Sequence, residues 1–119
     1  MILQSLELRN FRGFRDIEID FDQRLTVLVG INGAGKTTVL DALAVLLDQY
    51  TARLIASRST ARRLKESDTT NGAPEAHIRL TVEGTNGLTR WALRKQGNGR
   101  RSFVQSVVNS VILMTWCTR

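Results

Sequence analysis

The chain has 119 residues, 42% of them hydrophobic, and a formal net charge of +6, which suits one modest domain with a core of its own or part of a larger one. The longest uninterrupted apolar run, Ala42 to Leu47, is far too short to cross a bilayer, and a single cysteine, Cys117, excludes an internal disulfide. The N-terminus carries neither a basic leader nor a cleavable apolar stretch, so no secretory signal is read, no membrane partner is expected and a cytoplasmic location is the simple expectation.

Ile2 to Arg9 alternates imperfectly, with Ile2, Gln4, Leu6 and Leu8 toward one side and Leu3, Ser5, Glu7 and Arg9 toward the other. That pattern predicts a half-buried strand. Asn10-Phe11-Arg12-Gly13-Phe14 holds two turn formers and predicts a corner. Asp16 to Phe21 then alternates acid and apolar residues strictly, as a strand with one wet face does. Asp22-Gln23-Arg24 turns the chain into Leu25-Thr26-Val27-Leu28-Val29, a short β-branched run expected as a buried strand.

The next eight residues decide the chemistry. Gly30-Ile31-Asn32-Gly33-Ala34-Gly35-Lys36-Thr37 is a complete G-x-x-x-x-G-K-[ST] phosphate loop. Its glycines let the backbone approach a phosphate, and its successive N–H groups form an anion-binding nest at a helix N-terminus. Lys36 can reach the β- and γ-phosphates, and the Thr37 hydroxyl can ligate Mg²⁺. Val39, Leu40, Leu43, Leu46 and Leu47 follow at helical spacing through about Tyr50. Strand, glycine loop and helix together are the context such a motif requires, so the chain reads as a nucleoside-triphosphate site.

Thr51 to Lys65 keeps helical propensity, and the polar, breaker-rich Glu66 to Pro74 reads as a loop. His77 to Glu83 and Leu88 to Lys95 are alternating strands joined by Gly84-Thr85-Asn86-Gly87, a hairpin turn with the favoured Asn-Gly pair. In the second of them Leu88, Arg90, Ala92 and Arg94 share one side, and Trp91, Leu93 and Lys95 the other. The lone histidine, His77, has no ligand cluster about it and reads as an ordinary strand residue. Gln96 to Arg101 is basic and expected to be flexible, and Phe103 to Arg119 has a spacing that allows helix or strand.

Arginines outnumber lysines 14 to 3. The guanidinium fork suits phosphate, which hints at nucleic acid; a GC-rich genome would enrich arginine without any such role. Arg53, Arg58, Arg62, Arg63 and Lys65 cluster beyond the helix, with Arg58 and Arg62 four apart on one helix face. The cluster reads either as a solvated face or as a DNA-contacting patch.

The run from Leu8-Arg9-Asn10-Phe11-Arg12-Gly13-Phe14 through Ile19-Asp20-Phe21 and the phosphate loop to Leu40-Asp41-Ala42-Leu43 resembles the N-terminal lobe of an ABC-type ATPase head of the SMC/SbcC/RecF/OLD group. It is similar in particular to bacterial AAA family ATPases with an SbcC-type AAA domain, some of which serve phage defence. The resemblance spans residues 1–95, leaving 96–119 as an unassigned tail. It implies an α/β P-loop NTPase fold: N-terminal antiparallel strands, a phosphate-loop strand and helix, then a β-hairpin, together an incomplete ABC-type head. It further implies ATP and Mg²⁺ as cofactors. Gly30, Asn32, Gly33, Ala34, Gly35, Lys36, Thr37 and Thr38 would line the phosphates, Thr37 would also hold the metal, and Lys36 would be the catalytic cation. Arg12 would be a second cation near the phosphates, where by itself it reads as a surface turn residue. Phe11 and Phe14 read as core residues rather than base-stacking ones. A head-to-head homodimer and DNA are the partners the family implies.

The departures shape the functional expectation. A working head needs an apolar strand ending in Asp-Glu, and the chain has none; Val45-Leu46-Leu47-Asp48 lies within the helix and lacks the second acid. A Leu-Ser-Gly-Gly signature is also missing, and the surroundings of Gln105 do not match a glutamine loop. The sequence therefore reads as the front portion of a head that stops early, as a truncated gene would give. By family it is an ATP-binding and ATP-hydrolysing enzyme linked to DNA repair or phage defence. The alternatives are a binding module that holds ATP without turnover, a basic DNA-binding piece, and a decayed fragment.

Overall fold

Alternating apolar residues form six strands, and the 3.6-residue pattern after the glycine loop forms the one long helix among the described residues. The computed structural model describes the chain except residues 34, 55–62, 86, 108–109 and 119, with residues 53–54, 105–107 and 110–118 described by backbone alone. The order is β1 (Ile2–Phe11), β2 (Phe14–Asp20), α1 (Lys36–Leu54), β3 (Glu75–Gly84), β4 (Gly87–Gln96), β5 (Arg101–Val107) and β6 (Ser110–Thr118), with a single 3₁₀ turn at Glu66–Asp68. The strands make one antiparallel sheet in the order β2-β1-β3-β4-β5-β6. The chain is thus the α/β architecture the resemblance implies, and the stretch from Phe103 onward, open between helix and strand, is strand over residues 103–107 and 110–118.

Helix α1 lies on one face of this sheet. Val39, Ala42, Val45 and Leu46 recur at intervals that keep them on the sheet side, and all are buried with Leu6, Leu8, Ile78, Leu80, Val82, Leu93 and Phe103 in one cluster. Trp91 centres it. Its indole stacks on Tyr50 at 4.4 Å between ring centroids, and its Nε1 donates to the Leu46 carbonyl at 2.9 Å. The alternation read in β4 places Trp91, Leu93 and Lys95 on this same side, and all three are buried. The Lys95 stem runs through the core to an ion pair of 2.9 Å with exposed Glu66, apolar stem inside and charged head at the rim. That bond holds the Glu66 carboxyl below its usual range.

The opposite face is charged. Arg9, His77 and Arg94 stand in register across β1, β3 and β4, beside Glu7 and Arg79. Glu7 is buried, paired with Arg79 and, at 2.9 Å, with Arg9. His77 is half-buried; burial, then repulsion from Arg94, Arg79 and Arg9, pushes its imidazole below the ordinary value, against the opposing pull of Glu7. The folded state therefore favours the neutral ring. That contribution to stability is complete above the unfolded value of about 6.5 and is lost as pH falls toward the lower folded value, where the unfolded chain takes up the proton first. The thermal midpoint should be lower at pH 5.5 than at pH 7.5, and His77→Gln should shrink that difference. An equal drop in the variant would assign the pH dependence elsewhere.

One expected element is absent from the sheet. Leu25–Val29, read as a buried strand entering the phosphate loop, has no ladder partner, and Leu25, Val27, Val29 and Ile31 are 73%, 65%, 89% and 83% exposed. Apolar, β-branched composition fits a strand but supplies no ladder partner: none of the described strands pairs with this segment, and Leu28 alone of the five is partly buried against the core. Its start is nonetheless set by a local turn. Asp22 Oδ1 accepts from the amides of Arg24 and Leu25 at 2.9 and 3.3 Å, and Thr26 Oγ1 accepts from the Asp22 amide at 2.9 Å. Those amides hold the Asp22 carboxyl below its usual range. The helical propensity read for Thr51 to Lys65 holds to Leu54, where α1 ends, but Arg63, Leu64 and Lys65 are not helical; residues 55–62, Arg58 and Arg62 of the basic cluster among them, lie outside the described residues, as does Asn86 of the hairpin turn.

Candidate functional site

Gly33 and Gly35 sit at φ +87° and +97°, the left-handed region where a glycine costs least. These turns bring the loop onto the start of α1 at Lys36. By helix geometry the amides of Lys36, Thr37 and Thr38 have no intrahelical acceptor, and the first turn carries no acidic side chain to occupy them. Gly30, Asn32, Gly33 and Thr37 are exposed, while Gly35, Lys36 and Thr38 are partly buried. Lys36 folds back across the loop, its Nζ donating to the Gly30 carbonyl. The described residues of the expected phosphate loop thus lead into the N-terminus of α1, with the Lys36 ammonium held at the Gly30 carbonyl, and Ala34 falls outside the described residues.

The corner at the end of β1 is the second part of the site. Asn10 and Arg12 adopt φ of 50° and 51°, unusual for residues with a Cβ, and the 65–70 loop holds them there. The Arg12 amide donates to the Asp68 carbonyl at 2.7 Å, the Thr70 amide to the Asn10 carbonyl at 2.9 Å, and the Thr70 hydroxyl to the Arg12 carbonyl at 2.7 Å. The Arg12 side chain is equally engaged, with Nη1 2.6 Å from Asp41 Oδ2 and Nε 3.0 Å from Asp68 Oδ1. Asp41 above all, with help from Asp68 and against the cost of burial, pushes this guanidinium further toward its charged form. Arg12, expected beside phosphates, thus stands between two carboxylates and ties β1 to α1. Nothing in the sequence spacing announced Asp68 as its partner.

Asp68 is 4% exposed, and its Oδ2 also accepts from the Lys65 amide at 2.8 Å. Asp68→Ala would leave two donors, Arg12 Nε and the Lys65 amide, without their acceptor in a partly buried place, and such losses cost about 1–3 kcal/mol when the donor is fully buried. A fall of at most that size in urea-unfolding stability is expected, with Asp68→Asn losing less because it keeps acceptor capacity. Equal losses in the two variants would show that the charge, and not the hydrogen bonding, matters.

Phe14, opposite Phe11 where β1 and β2 meet, completes the surroundings. Phe11 is wholly buried, as expected of a core residue; Phe14 is partly buried, and its ring lies against Gly35. Among the described residues no group of three or more His, Cys, Asp or Glu side chains could hold a metal ion, and no helix is long and apolar enough to cross a membrane.

Comparison with known proteins bears on the family and the fold. Residues 5–113 match the AAA domain family. The chain is 38% identical over 103 residues to the DNA replication and repair protein RecF of Synechococcus sp. (strain JA-2-3B'a(2-13)), covering 87% of this chain and 25% of that protein. It is 32% identical over 102 residues to RecF of Nostoc punctiforme, covering 86% of this chain and 25% of that one. It thus spans about a quarter of the length of these relatives. Among solved structures, an SMC ATPase described for ATP-driven dimerization and DNA stimulated activation superposes with a TM-score of 0.69 at 22% identity, over 88% of this chain and 69% of that one. The SMC head domain from Thermotoga maritima gives 0.65 at 22%, over 100% of this chain and 39% of that one.

Proposed function

The chain belongs to the AAA domain family, in its SMC/RecF-like P-loop ATPase branch, and on that premise we propose that residues 30–38 bind ATP together with Mg²⁺. The observation that carries this reading is the glycine-turned loop that opens on α1 with Lys36 folded over its mouth. Phosphate oxygens entering there would take up the free amides of the first helical turn, and the Lys36 ammonium would exchange the Gly30 carbonyl for them. The residues also fit the metal: Thr37 presents an exposed hydroxyl at the position that ligates Mg²⁺ in such loops. Bound there, Mg²⁺ would supply charge neutralisation between neighbouring phosphates.

Hydrolysis asks for more than this loop. The 119 residues contain no strand-end Asp-Glu pair to position the metal and water, so the polypeptide by itself holds ATP without turnover, and hydrolysis belongs to the assembled head. Names of the relatives favour DNA replication and repair over phage defence as its setting. The SMC neighbour supports a second head and DNA as the partners of that assembly. Arg12 is the second cation of the proposed site only if phosphate draws it away from Asp41.

Calorimetric titration with Mg-ATP tests the reading. Saturable binding at one site per chain, with no steady-state phosphate release, is the expected result. Absence of binding would sink it; turnover by the chain alone would refute the binding-only half.

A further inference from the structure

The corner at the end of β1 meets the phosphate-loop unit at two places. Arg12 reaches Asp41 within α1, and the Phe14 ring lies against Gly35 at the foot of the loop. The two contact points are six residues apart, roughly 9 Å along a helix axis. A single contact would let the loop pivot; two hold both its position and its tilt.

The Phe14 contact is unusually close. Gly35 stands at φ +97°, and a Cβ built on it would lie 2.8 Å from Phe14 Cε2 and nearer still to Cζ, so the ring occupies space that only a glycine leaves free. Phe14 cannot easily retreat. It is paired across the turn with Phe11, which is wholly buried, and packs against the same core as α1. On its other side the segment leading into the loop makes no ladder bonds among the described residues and, Leu28 apart, is exposed from Leu25 to Gly30. The placement of Gly35, and with it the direction of the amides that follow, depends on the ring.

We propose that Phe14 is a positioning residue for the phosphate loop, acting through Gly35 to hold the loop's amides in the arrangement that receives phosphate. The inference rests on the nucleotide-site reading above and deepens it. The ring works on the phosphate end of the ligand and not on its base, which sets an expectation that a stacking aromatic would not meet: inorganic tripolyphosphate must feel its loss as much as ATP does.

The experiment titrates Mg-ATP and Mg-tripolyphosphate into the wild-type chain, Phe14→Ala and Phe14→Leu, well below each thermal midpoint. Misplacing a preorganised site by a fraction of an ångström to an ångström costs about tenfold or more. Phe14→Ala should therefore weaken both ligands by the same factor, about tenfold, and Phe14→Leu should recover most of it. Should Phe14→Ala fail to fold, Phe14→Leu carries the test with a smaller but still parallel loss. Unchanged affinity in folded variants overturns the proposal and leaves the site reading intact, as does a loss for ATP that spares tripolyphosphate. A wild-type chain that binds neither ligand overturns both.

Discussion

Lys36→Ala is expected to weaken Mg-ATP binding by roughly 30- to 1000-fold, the equivalent of about 2–4 kcal/mol for deleting one partner of a desolvated charge-assisted pair. The size of the effect follows from the loop's electrostatics. Backbone amides supply direction and partial charge, and Lys36 is the one full positive charge within the octet. In the structure its ammonium is already satisfied by the Gly30 carbonyl, so binding exchanges a neutral acceptor for an anionic one and requires no new ordering of a long side chain. Removing the lysine takes away both the charge and the brace across the loop mouth. Lys36→Gln separates the two in part, since it keeps a neutral donor one bond shorter than the lysine. Isothermal titration of the three proteins reads the difference, and wild-type affinity in Lys36→Ala would end the phosphate-loop interpretation. Lys36 is only partly buried, so stability should change little.

Trp91→Ala is expected to cost about 3–5 kcal/mol of stability, the range for truncating a large aromatic in a packed core. Trp91 is fully buried, stacks on Tyr50 and donates to the Leu46 carbonyl. It thus joins α1 to the middle of the sheet by apolar area, by ring contact and by a hydrogen bond at once. For a domain of this size such a loss approaches the whole margin of stability, and urea unfolding should shift to much lower midpoints or lose its cooperativity. Trp91→Phe keeps most of the area and gives up the N–H, so its smaller loss measures the hydrogen bond. A Trp91→Ala chain that unfolds near the wild-type midpoint would mean that α1 is held elsewhere.

Legibility followed the range of the interaction. The helix after the glycine loop and the four strands of the two hairpins are local patterns, and each was readable from spacing and turn residues alone. The burial of Trp91, Leu93 and Lys95 on one side of β4 followed from alternation. What could not be read was partnership across the chain. Leu25–Val29 has the composition of a strand, yet pairing is a property of two segments, and no described strand pairs with it. Arg12 was read through a family role; its carboxylate partners lie 29 and 56 residues away, where no periodicity reaches. Phe14 was readable as apolar, but its placement against Gly35 depends on the tertiary angle between a hairpin corner and a helix.

The pairing of β1 with β3 has a consequence for how the chain reaches this state. Leu6 lies beside Leu80 in that ladder, and every residue of the proposed phosphate site is threaded between them in sequence. Closing that long interval costs entropy before its contacts repay it, which places the ladder among the slow steps of folding. The loop itself can curl early, since its turns are local, but the corner that steadies it acquires its partners in the 65–70 segment only as the interval closes. On the proposed reading, nucleotide would therefore meet its site only late on the folding route, and its effect would fall on the rate of unfolding: bound ATP would act as a lock on a finished structure and not as a template for an unfinished one.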